Sequence, residues 1–260
     1  MKKILVVGLF IATGCRKVDL PMADPRNGHV DFRQCIITRV DGSGSGPDDQ
    51  NAPHQVISYN SRQDPVVMEP TFVGTGSPRR VFYYDNRGRL TTFAGIYDNG
   101  VFETWHNYIY DKRSRITGDS SYIFGWIADP GTALERRYAQ LFYDTFDRVV
   151  MEVRTSSAAG YPGPDTVRYK YDIRGNLDGD FVAYDDKANP YLTNRIWRFL
   201  ARDYSVNNSV TEGLRPTAYN DHGMPILYEG GTWAGIAFWG VYGSEITIQY
   251  NCKDGPRKDW

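Results

Sequence analysis

Histidine and cysteine are scarce in this chain, four and three residues in 260, and no two histidines stand at the spacing of a helical metal pair. A zinc cluster is therefore not indicated, and three cysteines are too few for a small fold held together by disulfides. Charge of one sign is also lacking: 30 lysines and arginines meet 31 aspartates and glutamates. Without a basic footprint, nucleic acid is excluded as an expected partner. The apolar stretch from Ile4 to Ile11 is too short to span a bilayer. Apolar residues seldom recur at helical spacing; the exception is 191–203, where Leu192, Ile196, Phe199 and Leu200 follow Pro190 and predict one short helix.

Signatures of chemistry are equally thin. The glycine-rich stretch 41–54 has Gly44 where a nucleophile elbow needs serine, so it reads as a solvated loop between the first two strands. The oxygen-rich stretch "RGNLDGDFVAYDD", 174–186, puts Arg174 at the first ligand place of a calcium loop and Asp185 at the twelfth, where glutamate belongs. No metal and no cofactor is expected, no catalytic residue can be named, and the reading is non-enzymatic.

What the chain does have is aromatic side chains, 14% of residues with Tyr 19, alongside Gly 26 and Pro 14. Many recur in one pattern. In "RVFYYDNRGRL", 80–90, Val81 to Tyr84 suit a pleated strand, Asp85 and Gly88 suit the first and fourth places of a type I turn, and Arg89 and Leu90 begin the return strand. With Gly88 left-handed this is a hairpin with a bulge. Five further copies of decreasing quality centre on Tyr59, Tyr110, Tyr143, Tyr171 and Tyr219, and three of the six keep the glycine: Gly88, Gly175 and Gly223. The gaps between successive key tyrosines are 25, 26, 33, 28 and 48 residues. Repeats of this length are supersecondary units that must stack to bury a shared face. The expected fold is mainly β: an antiparallel meander of hairpin repeats forming a curved sheet or partial barrel, with one short helix.

These motifs resemble the YD repeats of RHS-type proteins, and more closely those of small Bacteroidota envelope lipoproteins with a handful of such hairpins. Other residues that carry the resemblance are Cys35-Ile36-Ile37-Thr38, "YDDKANPY" (184–191), "VNNSV" (206–210) and "EITIQYNC" (245–252). The likeness extends roughly over 30–252 and implies no catalytic residues.

At the N-terminus, Lys2 and Lys3 precede the apolar stretch, and Ala12-Thr13-Gly14 precede Cys15, in the manner of a bacterial lipobox. Residues 1–14 are read as a lipoprotein signal peptide, 15–29 as a lipidated Cys15 and polar tether, and 30–260 as one YD-repeat-like β domain. The expected location is the outer membrane, held by the N-terminal lipid, with the periplasmic or surface face open. With Cys15 lipidated, Cys35 and Cys252 remain as an even pair, either a disulfide, which requires the first and last strands to be neighbours, or two reduced buried thiols. The remaining candidate is the segment 230–245, where Trp233, Phe238, Trp239 and Tyr242 stand among small residues. They would form either a surface for a protein or glycan ligand or a pair of core strands. The function expected is binding or scaffolding at the envelope, the alternative a carbohydrate-binding accessory or degrading protein that uses these aromatics.

Overall fold

The computed structural model describes residues 35–43, 53–179, 183–210, 214–230, 235–236 and 240–253. Runs of β-branched and aromatic residues separated by Asx- and Gly-containing turns make ten successive strands. They are β1 (Cys35–Gly42), β2 (His54–Tyr59), β3 (Pro65–Pro70), β4 (Arg79–Tyr84), β5 (Leu90–Ile96), β6 (Val101–Tyr110), β7 (Ile116–Trp126), β8 (Glu135–Tyr143), β9 (Val149–Ser156) and β10 (Asp165–Arg168). Each pairs antiparallel with the next, a meander.

The chain then leaves the sheet. A small hairpin of β11 (Lys170–Tyr171) and β12 (Leu177–Asp178) leads to a two-stranded ribbon, β13 (Ala183–Ala188) with β14 (Asn207–Val210). Between the ribbon strands lie a 3-10 turn at Pro190–Thr193 and α1 (Arg195–Ala201). The chain returns as β15 (Leu214–Tyr219), β16 (Pro225–Gly230), the short pair β17 (Gly235–Ile236) and β18 (Val241–Tyr242), and β19 (Glu245–Cys252). The last strand inserts between β1 and β16. Thirteen strands thus form one antiparallel sheet, edged by β10 and β15 and not closed into a barrel.

The helix is shorter than the periodicity predicts. Asn194 is extended (φ −150°, ψ 138°) and its side chain accepts the amide of Ile196, so residues 190–193 form a separate 3-10 turn and the α-helix starts afresh at Arg195. Arg202, left-handed at φ 54°, ends it. Ile196, Trp197 and Phe199 are buried on one face of the sheet among Ile37, Met68, Phe82, Leu90, Ile116 and Val149. Trp197 meets Tyr59 of β2 and Phe82 of β4 edge-on, Phe199 meets Tyr108 of β6, and Arg202 reaches Glu152 of β9. Laid flat, β2 to β9 would extend over about 34 Å. Five helical residues rise only about 7.5 Å. A segment that short touches strands that far apart because the sheet curves around it.

Candidate functional site

All six tyrosine-led tips adopt one geometry. The tyrosine pairs with the residue six positions later: Tyr59 with Pro65, Tyr84 with Leu90, Tyr110 with Ile116, Tyr143 with Val149, Tyr171 with Leu177 and Tyr219 with Pro225. The following Asx side chain (Asn60, Asp85, Asp111, Asp144, Asp172 or Asn220) accepts the amide of the fifth tip residue at 2.8–3.1 Å. The fourth residue is left-handed, with φ between 59° and 88°. Gln63, Ser114 and Asp147 tolerate at three tips what glycine does without strain at Gly88, Gly175 and Gly223.

The recurring tyrosine and arginine have their own physical cause. A register shift directly before Tyr59, Tyr84, Tyr110, Tyr143 and Tyr219 is the bulge that re-aims the side chain. The Tyr84, Tyr110, Tyr143 and Tyr171 hydroxyls donate to the carbonyls of Pro65, Leu90, Ile116 and Val149, each the first residue after the preceding tip, at 2.7, 2.8, 2.6 and 3.2 Å. Tyr184 and Tyr250 do the same to Leu177 and Pro225. Arg89, Arg115 and Arg148 each pair with the aspartate of their own tip and lie over the tyrosine of the next, 4.0–5.1 Å from the ring centre. Burial raises the Tyr110 pKa to about 12, so the phenol stays a donor at neutral pH. The repeat is therefore a structural ladder along one rim, and its carboxylates are engaged in turns.

A second polar group lies inside the curve. His106 Nδ1 contacts both oxygens of Asp119, at 2.9 and 3.1 Å. Arg202 pairs with Glu152, which is 2% exposed, and lies 3.8 Å from Asp119; Arg154 completes the group at 2.7 Å from Glu152. Burial opposes a charge on Arg202, but Glu152, Tyr108 and Asp119 outweigh it and raise its pKa. The buried Tyr108 hydroxyl makes no hydrogen bond, and its pKa is raised by desolvation and by Asp119. Ser121 stands opposite His106 on the same face, and no hydrogen bond joins them. Arg202 also donates to the Phe199 carbonyl, so the cluster fastens the end of α1 to β7 and β9.

Of the residues singled out by sequence, Cys15 lies outside the described residues, as do Trp233, Phe238 and Trp239. Tyr242 is placed only by its backbone, opposite Gly235. Cys35 and Cys252 are brought together: they are register partners in β1 and β19, joined through sulfur, with Cα atoms 3.9 Å apart. His222, from the tip between β15 and β16, lies beside them, and the three ligand atoms fall within 4.8 Å of one another. Sequence spacing could not reveal that grouping, because β19 inserts between β1 and β16 only in the folded chain. With the sulfurs bonded to each other it offers no thiolate to a metal.

The surface that sequence reasoning missed is the sheet's other face. By register, Tyr83, Thr92, Asn107, Ser120, Tyr138 and Thr155 form one row across β4 to β9. Ala94, Trp105, Tyr122 and Arg136 form the next row. Tyr83 is 50% and Tyr138 41% exposed. Tyr83 leans across the small Thr92 and Ala94 of β5 onto Trp105, nearly parallel at 26° with ring centres 6.5 Å apart. The signal was present as alternation in "ETWHNY" and "DSSYIF", but which alternate set faces the helix is not written there.

No protein-family profile and no curated protein matches the sequence. Among solved structures, a porin-like protein from Bacteroides uniformis superposes with a TM-score of 0.44 at 8% identity, over 84% of this chain and 98% of that one. The TcdB2-TccC3-TEV structure, and TcdB2-TccC3 without its hypervariable C-terminal region, each superpose with a TM-score of 0.30 at 13% and 12% identity, over 68% of this chain and 9% of theirs. Likenesses of this degree assign no family.

Proposed function

We propose that the chain is a non-enzymatic lipoprotein of the outer membrane, tethered through Cys15, whose single β domain (30–260) binds or scaffolds a protein or glycan partner. The observation that carries this reading is the fate of the polar residues. The tip carboxylates are engaged in turns and in arginine pairs, and the interior group of His106, Asp119, Glu152 and Arg202 is engaged in holding the helix. Among the described residues, an extended sheet face bearing aromatic rings stays open to a ligand. Support for the envelope address is the lipobox-like sequence ending at Cys15.

The test of the tether is direct. Cys15→Ser should move the protein from the detergent-extracted membrane fraction to the soluble fraction and abolish palmitate labelling. Unchanged fractionation and labelling would remove the address. A stable hold requires more than one acyl chain, so partial release is expected if only one is attached.

A further inference from the structure

Resting on the binding role proposed above, we infer that the exposed face across β4 to β8 is a carbohydrate platform, with the rings of Tyr83, Trp105, Tyr122 and Tyr138 stacking on pyranose units. Four observations converge. The rings belong to the face opposite the helix, and Tyr83 and Tyr138 are about half exposed. Trp105 and Tyr83 form a near-parallel pair, and the Tyr138 hydroxyl reaches over Gly118, where an added Cβ would stand 3.0 Å from it. An aromatic ring open to solvent offers a π face to the C–H side of a sugar.

The rings are also interleaved with donors and acceptors. The Asn107 amide oxygen accepts from Trp105 Nε1 at 3.2 Å and Thr92 Oγ1 at 3.0 Å, which leaves its amino group as a donor to a ligand. Ser120 and Thr155 flank Tyr138 in register, and Arg136 stands opposite Tyr122. A surface built for a protein partner concentrates apolar groups at its centre and polar groups at its rim. Here a hydroxyl, amide or guanidinium stands beside every ring, which matches a ligand with one apolar face and a hydroxyl at nearly every ring carbon. From β4 to β8 the platform extends over about 19 Å, the reach of a short oligosaccharide.

The experiment uses the full chain carrying Cys15→Ser, applied to an array of neutral and uronic-acid-containing oligosaccharides, with titration calorimetry on each glycan retained. Retention of a glycan, at least tenfold weaker binding in Trp105→Ala and Tyr138→Ala, and unchanged binding in Ile173→Ala, whose side chain is fully exposed at a distant tip, would support the platform. Near-UV circular dichroism of each variant separates loss of contact from loss of fold. If no glycan is retained, or if both variants bind as tightly as the parent, the carbohydrate platform is overturned. In that event, crosslinking in whole cells separates the two ideas. A protein adduct abolished by Trp105→Ala keeps the binding role and discards the sugar, whereas no adduct discards both.

Discussion

At the scale of the residue, the tip motif is a set of separable physical demands. The fourth place requires a left-handed backbone, which Gly88 meets at φ 75° and Ser114 at φ 61°. Gly88→Val should therefore cost about 1 kcal/mol or more, while Ser114→Gly should cost nothing, as read from urea denaturation midpoints. The first place requires an acceptor rather than a charge, since Asn60 and Asn220 serve where Asp85 and Asp111 do elsewhere. Backbone amides of Arg89 and Arg115, then the arginine side chains, hold the Asp85 and Asp111 pKa values below the ordinary carboxylate range. A folded-state pKa lowered in this way contributes stability that is complete above the unfolded value, about 4, and is lost as pH falls through the folded value. Asp111→Asn should consequently fold well at neutral pH and lose less stability than the parent between pH 5 and pH 2, whereas Asp111→Ala should be weaker throughout the range.

At the scale of the element, the segment from β13 to β14 decides whether the sheet has a core. Trp197 is 0% exposed and touches strands on either side of β3. Trp197→Ala should cost about 3–5 kcal/mol and expose tryptophan-free apolar surface detectable by dye binding. The Arg202–Glu152 pair is a different case. Arg202→Ala leaves the buried Glu152 to Arg154 alone and should cost up to about 3–5 kcal/mol, while adding Glu152→Gln to that variant should return part of the loss, because the under-compensated charge is then gone. Midpoints of chemical denaturation for the single and double variants check this, and equal midpoints would refute it. The short hairpin β11–β12 depends on a neutral version of the same logic: buried Asn176 accepts from the amides of Val206 and Asn207 and donates to the Asn207 side chain. That tip therefore has asparagine where three of the others have Arg89, Arg115 and Arg148.

At the scale of the whole molecule, β19 joins the C-terminal part of the sheet to its first strand, and Cys35 and Cys252 stand opposite one another there, 217 residues apart in sequence. Closing a loop that long restricts the unfolded chain by on the order of 5 kcal/mol in the chain-entropy description. Purified oxidised protein should yield a linked Cys35–Cys252 peptide on non-reducing mass mapping, and reduction should lower its thermal midpoint. Free thiols on both cysteines in an oxidised preparation would contradict this. The open edges β10 and β15 carry the other whole-molecule feature, since unpaired strands invite association. Pro216 in β15 and the shortness of β10, four residues, limit it.

Local chemistry by itself determined the hairpin tips, because a turn depends only on the five or six residues that make it. Asp85, Gly88, Asp172 and Gly175 could be placed without knowing what surrounds them. The mainly β class and the existence of one short helix near 191–203 were legible for the same reason, through alternation and periodicity. The bounds of that helix were not, since Asn194 interrupts it by a side-chain cap that periodicity does not register. Only tertiary structure decided which tyrosines bond to which carbonyls, because each hydroxyl crosses to a neighbouring tip some twenty residues back. It likewise decided which face is buried. The rows containing Phe82 and Tyr83 alternate identically in sequence, and the difference arises when Trp197 covers one of them and leaves the other, with Tyr138, to the solvent.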